Sequence, residues 1–237
     1  MKGSVIITAG GIGKRMGTDL PKQFLEIQGK PILLHCLEKF HSFDSTLEII
    51  ITLPADWMSY WTELLKTFQC EIPHRVRAGG QERFHSIQFA LSHCSGDFIM
   101  VHDGVRPLVS HETIQRCIEG LAHSESVIPV LGVKDSLRVL TKDGSEMVNR
   151  NDYKLVHTPQ CFKAELLKKA YQTSFHEGMT DDASVVGLIG PEPYLVKSNE
   201  ENIKITEAST TLFFLDAKTG KVVKCPDYLM ELIKQNW

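Results

Sequence analysis

The sequence predicts an α/β protein with a Rossmann-like, mostly parallel sheet flanked by helices. Three observations carry that expectation. Apolar runs rich in β-branched residues alternate with amphipathic stretches along the chain. Chemically rich segments sit at the ends of those runs, where ligands of open parallel sheets bind. One polar stretch breaks the alternation, and its Asp143-Gly144 pair signals a hairpin that protrudes from the body.

The elements follow in order. Ser4–Thr8, with Val5-Ile6-Ile7, reads as a buried strand, and Lys30–Phe40 as a helix with Ile32, Leu33, Leu37 and Phe40 on one face. Glu48–Leu53 is a β-branched strand and Trp57–Phe68 a helix, with Trp57, Trp61 and Phe68 as core positions. Arg75–Ala78 is a short strand, and Arg83–Cys94 a helix presenting Phe84, Ile87 and Leu91. Asp97–His102 is another buried strand, followed by a helix at Ser110–Ala122 for which Ser110 is the expected N-cap. Val127–Leu131 is strand-like, and Asp135–Asn149 is the hairpin. An isolated hairpin is marginal in water, so a second subunit is a candidate to cover it. Residues 1–237 are expected to form one domain, with residues 133–150 as an inserted β-arm. In the tail, Leu229, Leu232 and Ile233 have helical spacing.

Composition narrows the function. A net charge of −3 argues against a general nucleic-acid or membrane-surface binder, so an anion site must be a local cluster of cations. No apolar stretch reaches the length of a membrane span, and Val5-Ile6-Ile7 is too short for a signal peptide. The six cysteines are scattered without a Cys-x-x-Cys pair, which fits free thiols in a reducing cytoplasm rather than a zinc site.

The segment from Thr8 to Lys22 is the richest. It places Gly10, Gly11 and Gly13 beside Lys14, Arg15 and Lys22, just after the first strand. Glycines let backbone N–H groups close on a ligand, and the cations point to a polyanion such as a nucleotide. The loop is not a Walker A motif, because Arg15 stands where Ser or Thr would be needed, nor is it a clean dinucleotide fingerprint. Pro21 fixes the chain before Lys22, which can then turn back toward the loop. Two further segments fall at strand ends: Gly79-Gly80-Gln81-Glu82-Arg83 and His102-Asp103-Gly104-Val105-Arg106-Pro107. Asp103 is a candidate Mg²⁺ ligand or a turn-capping Asp.

Here a resemblance becomes specific. Ala-Gly-Gly-x-Gly-x-Arg-Met followed by Pro21-Lys22-Gln23-Phe24-Leu25 resembles the signature of nucleotidyltransferases, and its wording is similar to the 2-C-methyl-D-erythritol 4-phosphate cytidylyltransferases. The two segments above, Asn149-Arg150, Thr158-Pro159-Gln160, Thr180-Asp181-Asp182-Ala183-Ser184 and Asn202–Thr206 continue the resemblance in order, over residues 4 to about 206. It implies a nucleotidyltransferase type A-like fold, Mg²⁺ as cofactor, and CTP and a polyol phosphate as substrates. It also implies a homodimer in which the arm from Ser136 to Arg150 completes the neighbour's site.

By the same resemblance Arg15, Lys22, Asp103 and Lys204 are the catalytic residues, with Asp103 on the metal. Ala9, Gly10, Gly11, Gly13 and Gly104 would hold CTP, and Gly80, Gln81 and Ser86 would read the base. Arg106, Ser136, Arg150 and Thr158 would hold the acceptor phosphate. Gln81 stands where the family commonly has Asp, and Ser136 where it often has Thr. His85 and His102 are expected to brace their turns rather than act as bases. Two other readings stay open: ribitol 5-phosphate as the acceptor, and a nucleotide-binding regulatory protein without catalysis.

Overall fold

The computed structural model describes residues 1–11 and 20–205, plus two backbone-paired segments at 214–215 and 222–223. Gly13, Lys14, Arg15 and the helical spacing at Leu229, Leu232 and Ile233 lie outside the described residues.

The chain opens with β1 (Gly3–Thr8), followed by the small ladder β2 (Glu26–Ile27) and β3 (Lys30–Pro31). Then come α1 (Ile32–Phe43), β4 (Glu48–Leu53), α2 (Met58–Thr67), β5 (Arg75–Ala78), α3 (Arg83–Leu91), β6 (Phe98–Asp103) and α4 (His111–Gly120). After β7 (Ser126–Gly132) the arm is built from β8 (Leu137–Thr141) and β9 (Gly144–Val148). β10 (Lys154–Val156), β11 (Gln160–Lys163), α5 (Ala164–Ala170), α6 (Asp182–Val186) and β12 (Tyr194–Lys197) follow. The ladder β13 (Phe214–Leu215) and β14 (Val222–Val223) stands apart from the main sheet.

The main sheet has eight strands, running β10-β7-β11-β6-β1-β4-β5, with β12 also paired to β7. The half formed by β6, β1, β4 and β5 is parallel, as the apolar runs predict. β1, β4 and β6 are covered on both faces and carry continuous apolar runs, whereas the edge strand β5, Arg-Val-Arg-Ala, does not. Alternation survives in which face each residue serves. Val5, Ile7, Ile49 and Ile51 pack with Leu33, Leu37 and Phe40 of α1, Trp61 of α2 and Ile114 of α4. Ile6, Ile50, Ile99 and Val101 pack with Phe84 and Ile87 of α3, Leu167 of α5 and Val185 of α6.

The expected elements sit within a few residues of their observed bounds. The helix at Arg83 ends at Leu91 rather than Cys94, and the helix at Met58 follows a 3₁₀ turn at Ala55–Trp57. Trp61 is fully buried, while Trp57 and Phe68 pack at the edge of the core. Ser110 does cap α4, its hydroxyl accepting the Thr113 N–H at 3.1 Å.

The other half departs from a parallel plan. β11 slots antiparallel between β6 and β7. β10 also runs antiparallel to β7. The arm strands pair only with each other in the sheet, and Leu140 and Met147 stand 85% and 74% exposed.

The parallel strands end along one edge. Thr8 lies beside Asp103 and Thr52, and Leu53 beside Ala78. From β1 the chain proceeds outward through β4 and β5, then returns to the other side of β1 as β6. The crevice between the ends of β1 and β6 is therefore the switch point of the sheet, where open α/β folds bind ligands.

Candidate active site

A cavity of about 610 Å³ opens at that edge. Thr8, Ala9, Gly10 and Gly11 form one wall, and Gly80, Gln81 and Ser86 another. Lys22, Asp103 and Lys204 complete it, together with Gln23, Glu82, Arg83 and Val105, which the sequence left without a role.

Lys22 opens a 3₁₀ turn, Lys22–Phe24, that begins after Pro21. Two anchors hold this turn. The Gln23 amide donates to the Ala9 carbonyl at 2.7 Å, tying it to the glycine loop. The buried Phe24 ring sits among Trp57, Tyr60 and Trp61, with centroids 5.2–6.4 Å away. The Gln and Phe beside the lysine thus fix where its charge is delivered.

The second wall is close-packed. A Cβ on Gly80 would lie 2.4 Å from the His85 Cβ, so only glycine lets this loop fold onto α3. The His85 ring packs against Phe84 and Phe175, and its Nδ1 is buried without a hydrogen-bond partner among the described residues. Ser86 lines the cavity and also ties the loop together. Its hydroxyl accepts the Gly80 N–H at 3.0 Å and donates to the Glu82 carbonyl at 3.2 Å. Both the Gly80 amide and the Ser86 hydrogen are therefore engaged within the loop, leaving Ser86 lone-pair capacity toward the cavity.

Gly104, expected as a nucleotide contact, packs against β1. It is absent from the cavity walls, and its N–H donates to the Thr8 carbonyl at 2.9 Å. A Cβ there would stand 3.1 Å from Ala9 Cβ and Leu33 Cδ1. The glycine seats the loop against β1.

A second cavity, about 300 Å³, adjoins the first. Arg106, His157, Thr158, Gln160, Thr180 and Asp181 are among its walls. Arg83, Asp103 and Lys204 face both cavities. Asp103 is the focus. Its Oδ1 lies 3.6 Å from Arg83 Nε, and its Oδ2 lies 3.2 Å from Arg106 Nε and 3.1 Å from Lys204 Nζ. Burial pushes its carboxyl up, but Arg83, Lys204 and Arg106 outweigh that and hold it well below the usual carboxylate range.

The Asp103 backbone is held by a buried relay. Its N–H donates to Thr158 Oγ1 at 3.1 Å, and that hydroxyl donates to His102 Nδ1 at 3.0 Å. His102 Nε2 in turn donates to the Arg106 carbonyl at 3.0 Å. Burial keeps the imidazole neutral, with its pKa drawn down to about 4, so it can accept on one nitrogen and donate from the other. His102 braces the turn, as expected. Thr158 lines the second cavity, and its one hydroxyl hydrogen goes to His102, tying that wall to the Asp103 loop. Ser136 and Arg150 line neither cavity; both are exposed on or beside the arm, where Arg150 donates to the Lys134 carbonyl.

Arg83 is the residue that the sequence reading missed. It opens α3, and its partner Asp182 lies 99 positions away, so no local pattern marks the pair.

A family model for 2-C-methyl-D-erythritol 4-phosphate cytidylyltransferase matches residues 4–214. The enzyme of that name from Phocaeicola vulgatus is 50% identical over 207 residues, covering 87% of this chain and 94% of its own. That from Clostridium perfringens is 37% identical, covering 85% and 92%. The solved 4-diphosphocytidyl-2C-methyl-D-erythritol synthase from Anaerococcus prevotii superposes with a TM-score of 0.74 at 26% identity, covering 86% of this chain and 90% of its own. On the glycine wall, the double cavity and these matches, the chain belongs to the 2-C-methyl-D-erythritol 4-phosphate cytidylyltransferase family.

Proposed function

We infer that the protein transfers CMP from CTP to 2-C-methyl-D-erythritol 4-phosphate, giving 4-diphosphocytidyl-2-C-methyl-D-erythritol and pyrophosphate for isoprenoid biosynthesis. The observation that carries this reading is the meeting of two cavities at Arg83, Asp103 and Lys204. The larger takes the nucleotide and the smaller takes the phosphorylated alcohol. An acceptor phosphate oxygen attacks the α-phosphorus, and the bond to the β-phosphate breaks. A phosphate monoester is largely ionised near pH 7, so the site needs no general base.

The work of the protein is alignment and charge neutralisation. Backbone N–H groups of Ala9, Gly10, Gly11 and Gly13 hold the triphosphate, with Lys22 and Arg15 meeting its charge and that of the departing pyrophosphate. Support for a cytosine base comes from the Ser86 wall. With the Gly80 N–H and the Ser86 hydrogen engaged, Ser86 offers a lone pair, which suits the exocyclic amine of cytosine and repels the carbonyl of uracil. Gln81 flanks the same wall. Arg106 and Lys204 draw the acceptor phosphate toward Asp103.

Mg²⁺ fits the junction as an ion carried in by substrate. Among the described residues no three His, Cys, Asp or Glu side chains converge on one point. Magnesium is content with one carboxylate when phosphate oxygens and water fill the rest of its shell. Asp103, held ionised and facing both cavities, is that carboxylate. Bound there, the ion would draw charge from the triphosphate oxygens.

The reading includes a homodimer whose arms deliver Ser136 and Arg150 to the neighbour's acceptor cavity. Its support is the position of both residues outside their own chain's cavities and the exposed apolar side chains of Leu140, Met147 and Leu155. It also includes a cytoplasmic setting, supported by the free thiols of Cys36, Cys94, Cys117 and Cys161, all buried. No described helix is long and apolar enough to cross a membrane.

The test is pyrophosphate release with CTP or UTP, each paired with 2-C-methyl-D-erythritol 4-phosphate or ribitol 5-phosphate. Turnover is expected with CTP and the methylerythritol acceptor. Faster turnover with ribitol 5-phosphate overturns the acceptor assignment, and CTP binding without any turnover overturns the enzyme.

A further inference from the structure

Arg83 borders both cavities, yet its guanidinium fork is given to neither. Nη1 and Nη2 donate to Oδ1 and Oδ2 of Asp182 at 3.0 and 2.7 Å. Its Nε edge is left facing Asp103 Oδ1 at 3.6 Å. Asp182 is fully buried, and its Oδ1 also accepts from the Tyr171 hydroxyl at 2.6 Å. The Phe84 ring stacks on Tyr171 with centroids 4.8 Å apart, locking the start of α3 onto the same tyrosine. A bidentate pair of this kind fixes orientation as well as charge.

We propose that Arg83 is a positioning residue for Asp103, and that Asp182 and Tyr171 hold it in that role. A guanidinium beside two carboxylates can present its fork to only one of them at a time. Asp182 takes the fork, so Asp103 meets a single edge and keeps its oxygens directed at the junction of the cavities. Without Asp182, the same fork can turn onto Asp103 and close that carboxylate to the substrates, or clamp a substrate phosphate out of line. The lock also gives a use to Asp182, which lies beside the cavity-lining Thr180 and Asp181 but lines neither cavity itself. The inference rests on the reading that transfer takes place at Asp103.

Steady-state kinetics on the full-length chain test it, with wild type, Asp182→Asn, Tyr171→Phe, Arg83→Met and the Arg83→Met/Asp182→Asn double variant. Asp182→Asn is expected to lower kcat by about 10–100-fold, the scale of lost support around a functional carboxylate. KM for CTP should stay within about threefold, because the nucleotide contacts are untouched. The double variant should be no slower than the slower single, since both changes break one chain of contacts. Tyr171→Phe keeps both charges and the stacked ring; a several-fold loss of kcat is expected there, and this variant decides the matter if Asp182→Asn fails to fold. Unchanged kcat in Tyr171→Phe and in folded Asp182→Asn overturns the inference, as do losses that multiply in the double variant. A wild-type chain that turns over no acceptor overturns the functional reading first, and the inference with it.

Discussion

Asp103 owes its charge to its neighbours. Burial alone would favour the neutral acid, and three cations reverse the balance. Asp103→Asn leaves those cations without their counter-charge. It should lower kcat by about 10²–10³-fold and stability by about 3 kcal/mol, read from initial rates and urea unfolding; an active, fully stable variant would remove Asp103 from the centre. Lys22 is different, because it sits on the cavity wall at the start of an anchored turn. Lys22→Ala, like Arg15→Ala, is expected to lose about 10²–10³ in kcat with little change in melting temperature. A folded variant of either kind with near-normal turnover contradicts the assignment.

Among the elements, the loop between β5 and α3 is the least forgiving. Gly80→Ala places a methyl 2.4 Å from the His85 Cβ, so the loop must lift off the helix and take Ser86 with it. CTP affinity should fall by about tenfold or more, measured by calorimetric titration, and an unchanged affinity would show that the loop does not touch the nucleotide. The inner strands of the parallel half, β1, β4 and β6, were legible because each is built around an apolar run, with Arg-Val-Arg-Ala of the edge strand β5 the exception. β11, β12, α5 and α6 escaped notice because four- to seven-residue elements carry too few turns or alternations for periodicity to speak. Site positions were legible wherever a strand end carries unusual chemistry, as at Asp103 and Gly80. What the residues do there was less so. Small residues such as Gly104 and Ser86 show in sequence that something must come close, but not whether it is ligand or backbone. Thr158 and Arg83 have their decisive partners far away in the chain, at His102 and Asp182.

For the molecule as a whole, the histidines set its acid limit. Burial draws His102 and His157 down to about 4, and His74 is lowered as well. An unfolded histidine titrates near pH 6.5, so below that the unfolded chain binds protons that the folded chain refuses. Stability should be complete above about pH 6.5 and fall toward pH 4 by up to about 1.4 kcal/mol per pH unit for each such histidine. Urea midpoints measured from about pH 8 down to pH 5 check this, and a flat profile would contradict it. Assembly has its own test. If Arg150 serves the neighbouring subunit, a Lys22→Ala chain mixed with an Arg150→Ala chain forms hybrid dimers with one intact site. Activity should reappear on mixing two nearly inactive preparations, whereas continued inactivity would return Arg150 to its own chain.

The antiparallel strand β11 has a consequence for how such an enzyme can change. The larger cavity is built on the ends of β1, β5 and β6, while Thr158 and Gln160 of the smaller one come from the chain entering β11, beyond β6. On the proposed function, the two halves of the sheet, joined along the β6–β11 seam, would divide much of the reaction between them, with Arg83, Asp103 and Lys204 shared. A new alcohol could be accommodated by redrafting the outer half alone, with the grip on the cytidine nucleotide inherited unaltered.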